Sequence, residues 1–188
     1  MPGPVLGYHG CDAVIAEAVL SGRSFLAPSD NDYDWLGPGI YFWVDSPERA
    51  MDWAREQSVR GRIAKPAVVG ALIHPGNCLN LTDFGVLDEL RKAHALLQGA
   101  ASAAGTALPV NSLSRHGVTL MRRLDCAVIR MIHELYESIG APAFDTAFGV
   151  FEEGAALFPG SGFKEKTHIQ IAIRNAECIA GYFRVPGL

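Results

Sequence analysis

None of the four cysteines, Cys11, Cys78, Cys126 and Cys178, stands in a Cys-x-x-Cys pair, and the six histidines form neither His-x-x-x-His nor His-Glu-x-x-His. Zinc-type ligand spacing is missing, so no metal is expected and the cysteines read as reduced thiols. The Gly-x-Ser-x-Gly elbow of serine hydrolases, the P-loop and the Rossmann glycine fingerprint are missing too, so a nucleotide, if bound, is held by other means. The amino-terminal MPGPVLGYHG has no basic segment leading into an apolar one, and no apolar run reaches the length of a membrane span. Membrane association is therefore not expected, and a cytoplasmic location is. Positive charge is also scarce. With a net charge of −4, bulk attraction to nucleic acid or to an anionic membrane is not expected, although a local basic patch is left open.

What the sequence does have is apolar content, 49% of its residues, and a length of 188 residues, enough for one core without staples. A single domain over residues 1–188 is expected. Residues 5–8 read as a strand, His9-Gly10 as a tight turn, and Asp12 as the N-cap of a helix running to Leu20. Gly22 ends that helix, and residues 27–32 are dense in turn formers. The run Ile40-Tyr41-Phe42-Trp43-Val44 reads as a buried strand. Ser46-Pro47 then opens a helix with Ala50, Trp53, Ala54 and Gln57 on one face, expected to pack on the Tyr41 strand. Strands follow at residues 67–73 and 78–81, and a helix from Asp83 to about Gly99. The stretches 99–105 and 108–117 read as a connection. Asp125 should cap a helix whose Val128, Ile132, Leu135 and Ile139 share a face, closed by Gly140. Strands at 144–151, 169–173 and 179–185, with a long Gly/Pro-containing loop over 152–166, complete a mixed α+β pattern.

Three short segments occur in order: Tyr8-His9-Gly10; Gly39-Ile40-Tyr41-Phe42 followed by Ala50 and Trp53; and Thr167-His168-Ile169-Gln170-Ile171. Together they make the chain resemble the diphtheria-toxin-like and poly(ADP-ribose)-polymerase-like ADP-ribosyltransferases. That superfamily carries a histidine-glycine on its first strand, a tyrosine in a Gly-Ile-Tyr-Phe strand and a polar residue, usually glutamate, on a later one. The resemblance implies an ADP-ribosyltransferase-like fold of two small facing β-sheets flanked by helices, with NAD as substrate in the cleft. His9, Tyr41 and Gln170 are the implied catalytic set, and His9, Gly10, Tyr41 and Trp53 the implied NAD contacts.

The residue types suit that chemistry. Cleaving a nicotinamide–ribose bond needs a flat surface for a cationic ring, fixed partners for ribose hydroxyls and stabilisation of positive charge growing on the sugar. Tyr41 can stack on the nicotinamide, with Trp53 on the opposite face. His9 can bond a ribose hydroxyl, and Gly10 lets the backbone approach the carboxamide without a Cβ. Gln170 departs from the family glutamate: its amide oxygen accepts a hydrogen bond but brings no carboxylate charge. Glu152 and Glu153 are the candidate substitutes on the acceptor side. His168, two residues from Gln170 and on the same strand face, is a third candidate there. Arg49 stands about where polymerase-like members carry a small hydroxyl residue.

The expected partners are NAD and a macromolecular acceptor, protein or nucleic acid. A bacterial toxin or defence effector held by an antitoxin is one biological setting that fits. The competing expectation is a catalytically silent member of the same fold that binds a nucleotide or protein. RNA 2′-phosphotransferase chemistry would require Arg49, Arg122 and Arg174 to converge.

Overall fold

The computed structural model describes residues 3–113 and 120–188. In chain order the elements are β1 (Val5–Asp12), α1 (Ala13–Leu20), β2 (Ile40–Val44), α2 (Pro47–Val59), β3 (Pro66–Ile73), β4 (Cys78–Asn80) and α3 (Val86–Ala104). They continue with β5 (Asn111–Leu113), β6 (Leu120–Arg122), α4 (Arg123–Ser138), β7 (Thr146–Phe151), β8 (His168–Ile173) and β9 (Ile179–Arg184). The mixed α+β class is as expected. Two small facing sheets are not what forms: seven strands join in one sheet of order β4-β7-β8-β2-β1-β3-β9, and β5 and β6 make a separate two-stranded ribbon. Among the described residues only β4 and β7 pair in parallel; the other ladders are antiparallel.

Side-chain alternation divides the sheet into two buried faces. On one, Ile40, Phe42 and Val44 of β2 join Ile171 and Ile173 of β8 and Val69, Ala71 and Ile73 of β3 beneath Ala16 and Val19 of α1. On the other, Ala147 and Phe151 of β7 and Ala172 of β8 pack against Val128, Ile129 and Ile132 of α4 and Ala93 of α3. Further along this second face, Trp43 and Val68 lie beneath Ala50 and Met51 of α2. The strip of β2 and β8 between these two helix clusters carries Trp43, His168 and Gln170.

Several local expectations shift. His9-Gly10 is not a turn, because β1 pairs with β3 through eight consecutive residues and runs on to Asp12. Asp12 does cap α1, accepting from Val14 N. Ser46 stands at the start of α2 but makes no side-chain cap bond, so Pro47 at the first position is what marks this end. The 99–105 stretch is helical: its alanines extend α3 to Ala104, and Gly105 closes it in the left-handed conformation. The 114–117 part of the expected connection lies outside the described residues. α4 begins two residues before Asp125, and its first turn is capped from a distance, with Asn111 Oδ1 accepting from Leu124 N and Asp125 N. The 152–166 loop folds back on itself through a bridge between Ala156 and Lys164.

Candidate functional site

β8, β2 and β1 are neighbours in the sheet, so the strands carrying Gln170, Tyr41 and His9 lie side by side. The main-chain ladder between β1 and β2 covers only Gly7–Val44 and Tyr8–Trp43. Beyond it a side chain takes over: His9 Nδ1 donates to the Tyr41 carbonyl at 2.7 Å. A carbonyl only accepts, so this bond places the proton on Nδ1 and leaves Nε2 of the neutral ring as an acceptor. Burial pushes the His9 pKa below its ordinary value, against the opposing pull of that carbonyl, which keeps the ring neutral at pH 7.

Tyr41 is held differently from the expectation of an open stacking platform. Its hydroxyl donates to Gly37 O at 2.7 Å and accepts from Leu36 N at 3.0 Å, so the phenol anchors the loop that precedes β2. Its ring is half-buried against the α4 cluster, and burial drives the phenol pKa upward. The space in front of Gly10 is also filled: a Cβ there would stand 2.3 Å from the Ala50 carbonyl oxygen and 3.2 Å from Trp53 Cε3. A glycine at this position lets α2 lie directly on β1, and brings Trp53 over it.

Gln170 is half-buried and stands opposite Trp43 in one ladder and Gly149 in the other. It shares its sheet face with Trp43, Tyr41 and His168, whereas alternation puts His9 on the other face with Gly7 and Cys11, its ring 5.7 Å from that of Phe42. The expected trio is thus adjacent in the sheet, yet divided between its faces.

A second constellation surrounds Gln170. Trp35 meets Phe151 edge-on at 3.8 Å, Phe151 stacks on His168 at 5.3 Å, and His168 lies 6.2 Å from Trp43, which lies 5.7 Å from Trp53. Two guanidiniums sit on this aromatic chain: Arg49 is 5.6 Å from the Trp43 ring and Arg122 is 3.1 Å from the Trp35 ring. Arg49 pairs with Glu153 at 3.1 Å and with Asp52 at 3.4 Å, and Arg122 pairs with Asp125 at 3.4 Å. Lys166 bridges Asp52 and Glu56 of α2, so Arg49 and Lys166 together fasten residues 152–167 to that helix. Glu152 is exposed and makes no part of the cluster.

His168 is buried, its Nδ1 donating to Lys166 O at 2.6 Å. Burial lowers its pKa, so it too is neutral with a lone pair on Nε2. That atom, Trp43 Nε1 and Arg49 Nε are buried with no hydrogen-bond partner among the described residues. Unpaired buried polar atoms are uncommon, and three of them in one cluster mark it as incomplete.

Trp43 and Phe151 were not among the residues the sequence singled out, and Trp35 stood out only as part of residues 31–35, which precede the Tyr41 strand where related enzymes place a loop over the cofactor and which read equally well as a solvated turn. Trp43 was within reach, since period-two alternation along β2 puts it on the Tyr41 face; Trp35 and Phe151 join only through long-range packing. Of the three arginines, Arg49 pairs with Glu153 and Arg122 with Asp125, the Glu153 carboxylate acting on Arg122 only at longer range, whereas Arg174 bonds Phe144 O at 2.9 Å and pairs with Glu137 at 3.7 Å, outside the cluster. An apolar cavity of about 690 Å³ beneath α3 and α4, lined by Trp35, Leu36, Leu90, Val128 and Phe151, contains none of His9, Tyr41 or Gln170.

Among the described residues no three His, Cys, Asp or Glu side chains are grouped to hold a metal ion, and no helix is long and apolar enough to cross a membrane. No protein family, curated protein or solved structure matches this chain.

Proposed function

We propose that this protein is an ADP-ribosyltransferase that takes NAD as substrate, breaks the bond between nicotinamide and ribose, and transfers ADP-ribose to a macromolecular acceptor. The observation that carries the reading is the junction where the β1–β2 ladder stops and His9 reaches across to Tyr41, with Gln170 on the adjoining strand. In this reading the seven-stranded sheet, interrupted at β1 and β2, is the transferase fold, and the substrate enters where the two strands part.

In the reaction nicotinamide leaves with the bonding electron pair, positive charge grows on the ribose C1′, and an acceptor nucleophile forms the new bond to that carbon. The Gln170 amide oxygen accepts from the ribose 2′-hydroxyl, while His9, on the opposite face of the sheet, positions the junction by tying β1 to the Tyr41 carbonyl. The acceptor's proton goes to His168 Nε2 or to solvent. No metal takes part. A cytoplasmic toxin or defence effector, kept in check by an antitoxin, is the setting we favour; growth arrest on expression, relieved in a Gln170→Ala variant, would support it.

The test is direct. Purified protein incubated with NAD should release nicotinamide, measured by chromatography, and labelled NAD added with cell lysate should mark either the protein or the nucleic-acid fraction. Absence of both nicotinamide release and label would overturn the reading. A second reading, a silent nucleotide-binding member of the fold, is favoured by one group of facts: Gln170 is neutral, while the Tyr41 hydroxyl and the Glu153 carboxylate are both already paired within the protein. An NAD-induced rise in melting temperature without nicotinamide release would select it.

A further inference from the structure

Arg49 and Arg122 are unusual cations for this acidic chain, because their side chains are only 13% and 17% exposed. Each is held in two ways, by a tryptophan face beneath it and by a carboxylate three residues along its own helix or helix start. A guanidinium fixed in this manner is a preorganised fork whose remaining N–H groups point elsewhere. Those of Arg49 point to Glu153; burial lowers the Arg122 pKa, opposed by its Asp125 partner and, at longer range, by the same Glu153 carboxylate.

The fit to Glu153 is partial. One Glu153 oxygen meets one terminal nitrogen of Arg49, and Arg49 Nε stays buried without a partner, as does the neighbouring Trp43 Nε1. A single carboxylate oxygen leaves these donors unused. A diphosphate, with two free oxygens on each phosphorus, offers such a set of forked donors more acceptors than one carboxylate does.

We propose that Arg49 and Arg122 form a phosphate-binding subsite closed by the Glu153 carboxylate, and that the group it takes is the diphosphate of a nucleotide, which displaces Glu153. That the nucleotide is NAD rests on the transferase reading above; the subsite itself does not. Two arginines on separate elements suit two linked phosphates, and the half-buried faces of Trp35 and Trp53 at the ends of the aromatic chain suit the flat bases of a dinucleotide. The charges explain why Glu153 must move. With it in place, Asp52, Glu56, Asp125 and Glu153 outnumber Arg49, Arg122 and Lys166 by one; with it displaced the two signs balance.

Calorimetric titration of the full chain with inorganic pyrophosphate, ADP-ribose and adenosine tests this. Pyrophosphate and ADP-ribose should bind, and adenosine at least about tenfold more weakly than ADP-ribose. The informative variant is Glu153→Gln, which removes the competing charge and should tighten both phosphate ligands by about tenfold, while Arg49→Met and Arg122→Met each weaken them by at least about tenfold. A structural ion pair alone predicts the opposite for Glu153→Gln, namely lower stability and no gain in binding. Unchanged or weaker pyrophosphate binding in a folded Glu153→Gln protein, judged by circular dichroism, overturns the proposal. If an arginine variant fails to fold, Glu153→Gln alone decides. Nicotinamide release without tightening in Glu153→Gln would sink the subsite and leave the transferase reading standing. Tightening without nicotinamide release would establish the subsite and sink the transferase reading.

Discussion

Gln170 is the residue at which chemistry and geometry bear most directly on each other. The ladder puts it beside Trp43, and the carboxylate drawn toward this face, that of Glu153, is occupied by Arg49. If its amide oxygen bonds the ribose hydroxyl more strongly as charge develops, Gln170→Ala should lower the rate of nicotinamide release by roughly one to three powers of ten, with a smaller change in NAD affinity. A carboxylate at 170 would face the positive charge growing on the ribose, which a neutral amide cannot offset. Gln170→Glu should therefore increase NAD hydrolysis, measured by initial rates. A fall in rate would mean that neutrality at this position is required.

Among elements, residues 152–167 have the most defined prospective role. The segment folds back through the Ala156–Lys164 bridge, with Leu157 N donating to Phe163 O at 2.9 Å, and presents Leu157, Phe158 and Phe163 to solvent. Its base is fastened to α2 by Arg49 and Lys166, so an exposed apolar tip is carried on an anchored stem beside Gln170. Replacing residues 158–161 with a Gly/Ser linker should impair labelling of the acceptor by at least about tenfold while NAD hydrolysis changes much less, as expected of a specificity loop on a rigid scaffold. Equal loss of both activities would remove the acceptor role. This element also shows what local sequence can and cannot convey. Its glycines and Pro159 announce a loop, but the bridge that folds it depends on residues eight apart, and its anchorage depends on α2 a hundred residues earlier. The β2 strand, α1 with its Asp12 cap and the start of α2 at Pro47 were legible because their signals are local. The extension of β1 through His9-Gly10 was not, since pairing with β3 overrides the glycine. Nor was Gly10's close contact with Ala50, which sequence reading attributed to a ligand.

At the scale of the whole molecule, the neutral buried histidines link the candidate site to the stability of the fold. His9, His133 and His168 all have pKa values lowered chiefly by burial, and His133, wedged in α4 near Arg174 and Arg130, falls to about 4. Neither ring nitrogen of His133 has a partner among the described residues, so nothing in its surroundings welcomes a proton. The sign follows from proton counting. Between the unfolded value near 6.5 and the folded value, the unfolded chain binds more protons than the native one, so stability rises with pH through this window and falls as acid is added. His133 alone should cost on the order of 3 kcal/mol by about pH 4, a large part of the stability of a domain this size. Carboxylates such as Asp145, whose pKa is lowered by Asn175 and the Asn77 backbone, lose their contribution only at lower pH. Urea denaturation at pH 7 and pH 5 should therefore show a loss of stability that His133→Leu reduces, because leucine fills the same apolar site without a group to protonate. If the variant keeps the full pH dependence, the loss belongs to His9 and His168 instead. Nicotinamide release should then fall in step with unfolding over the same window, because the strip that carries Gln170 is lost with the sheet.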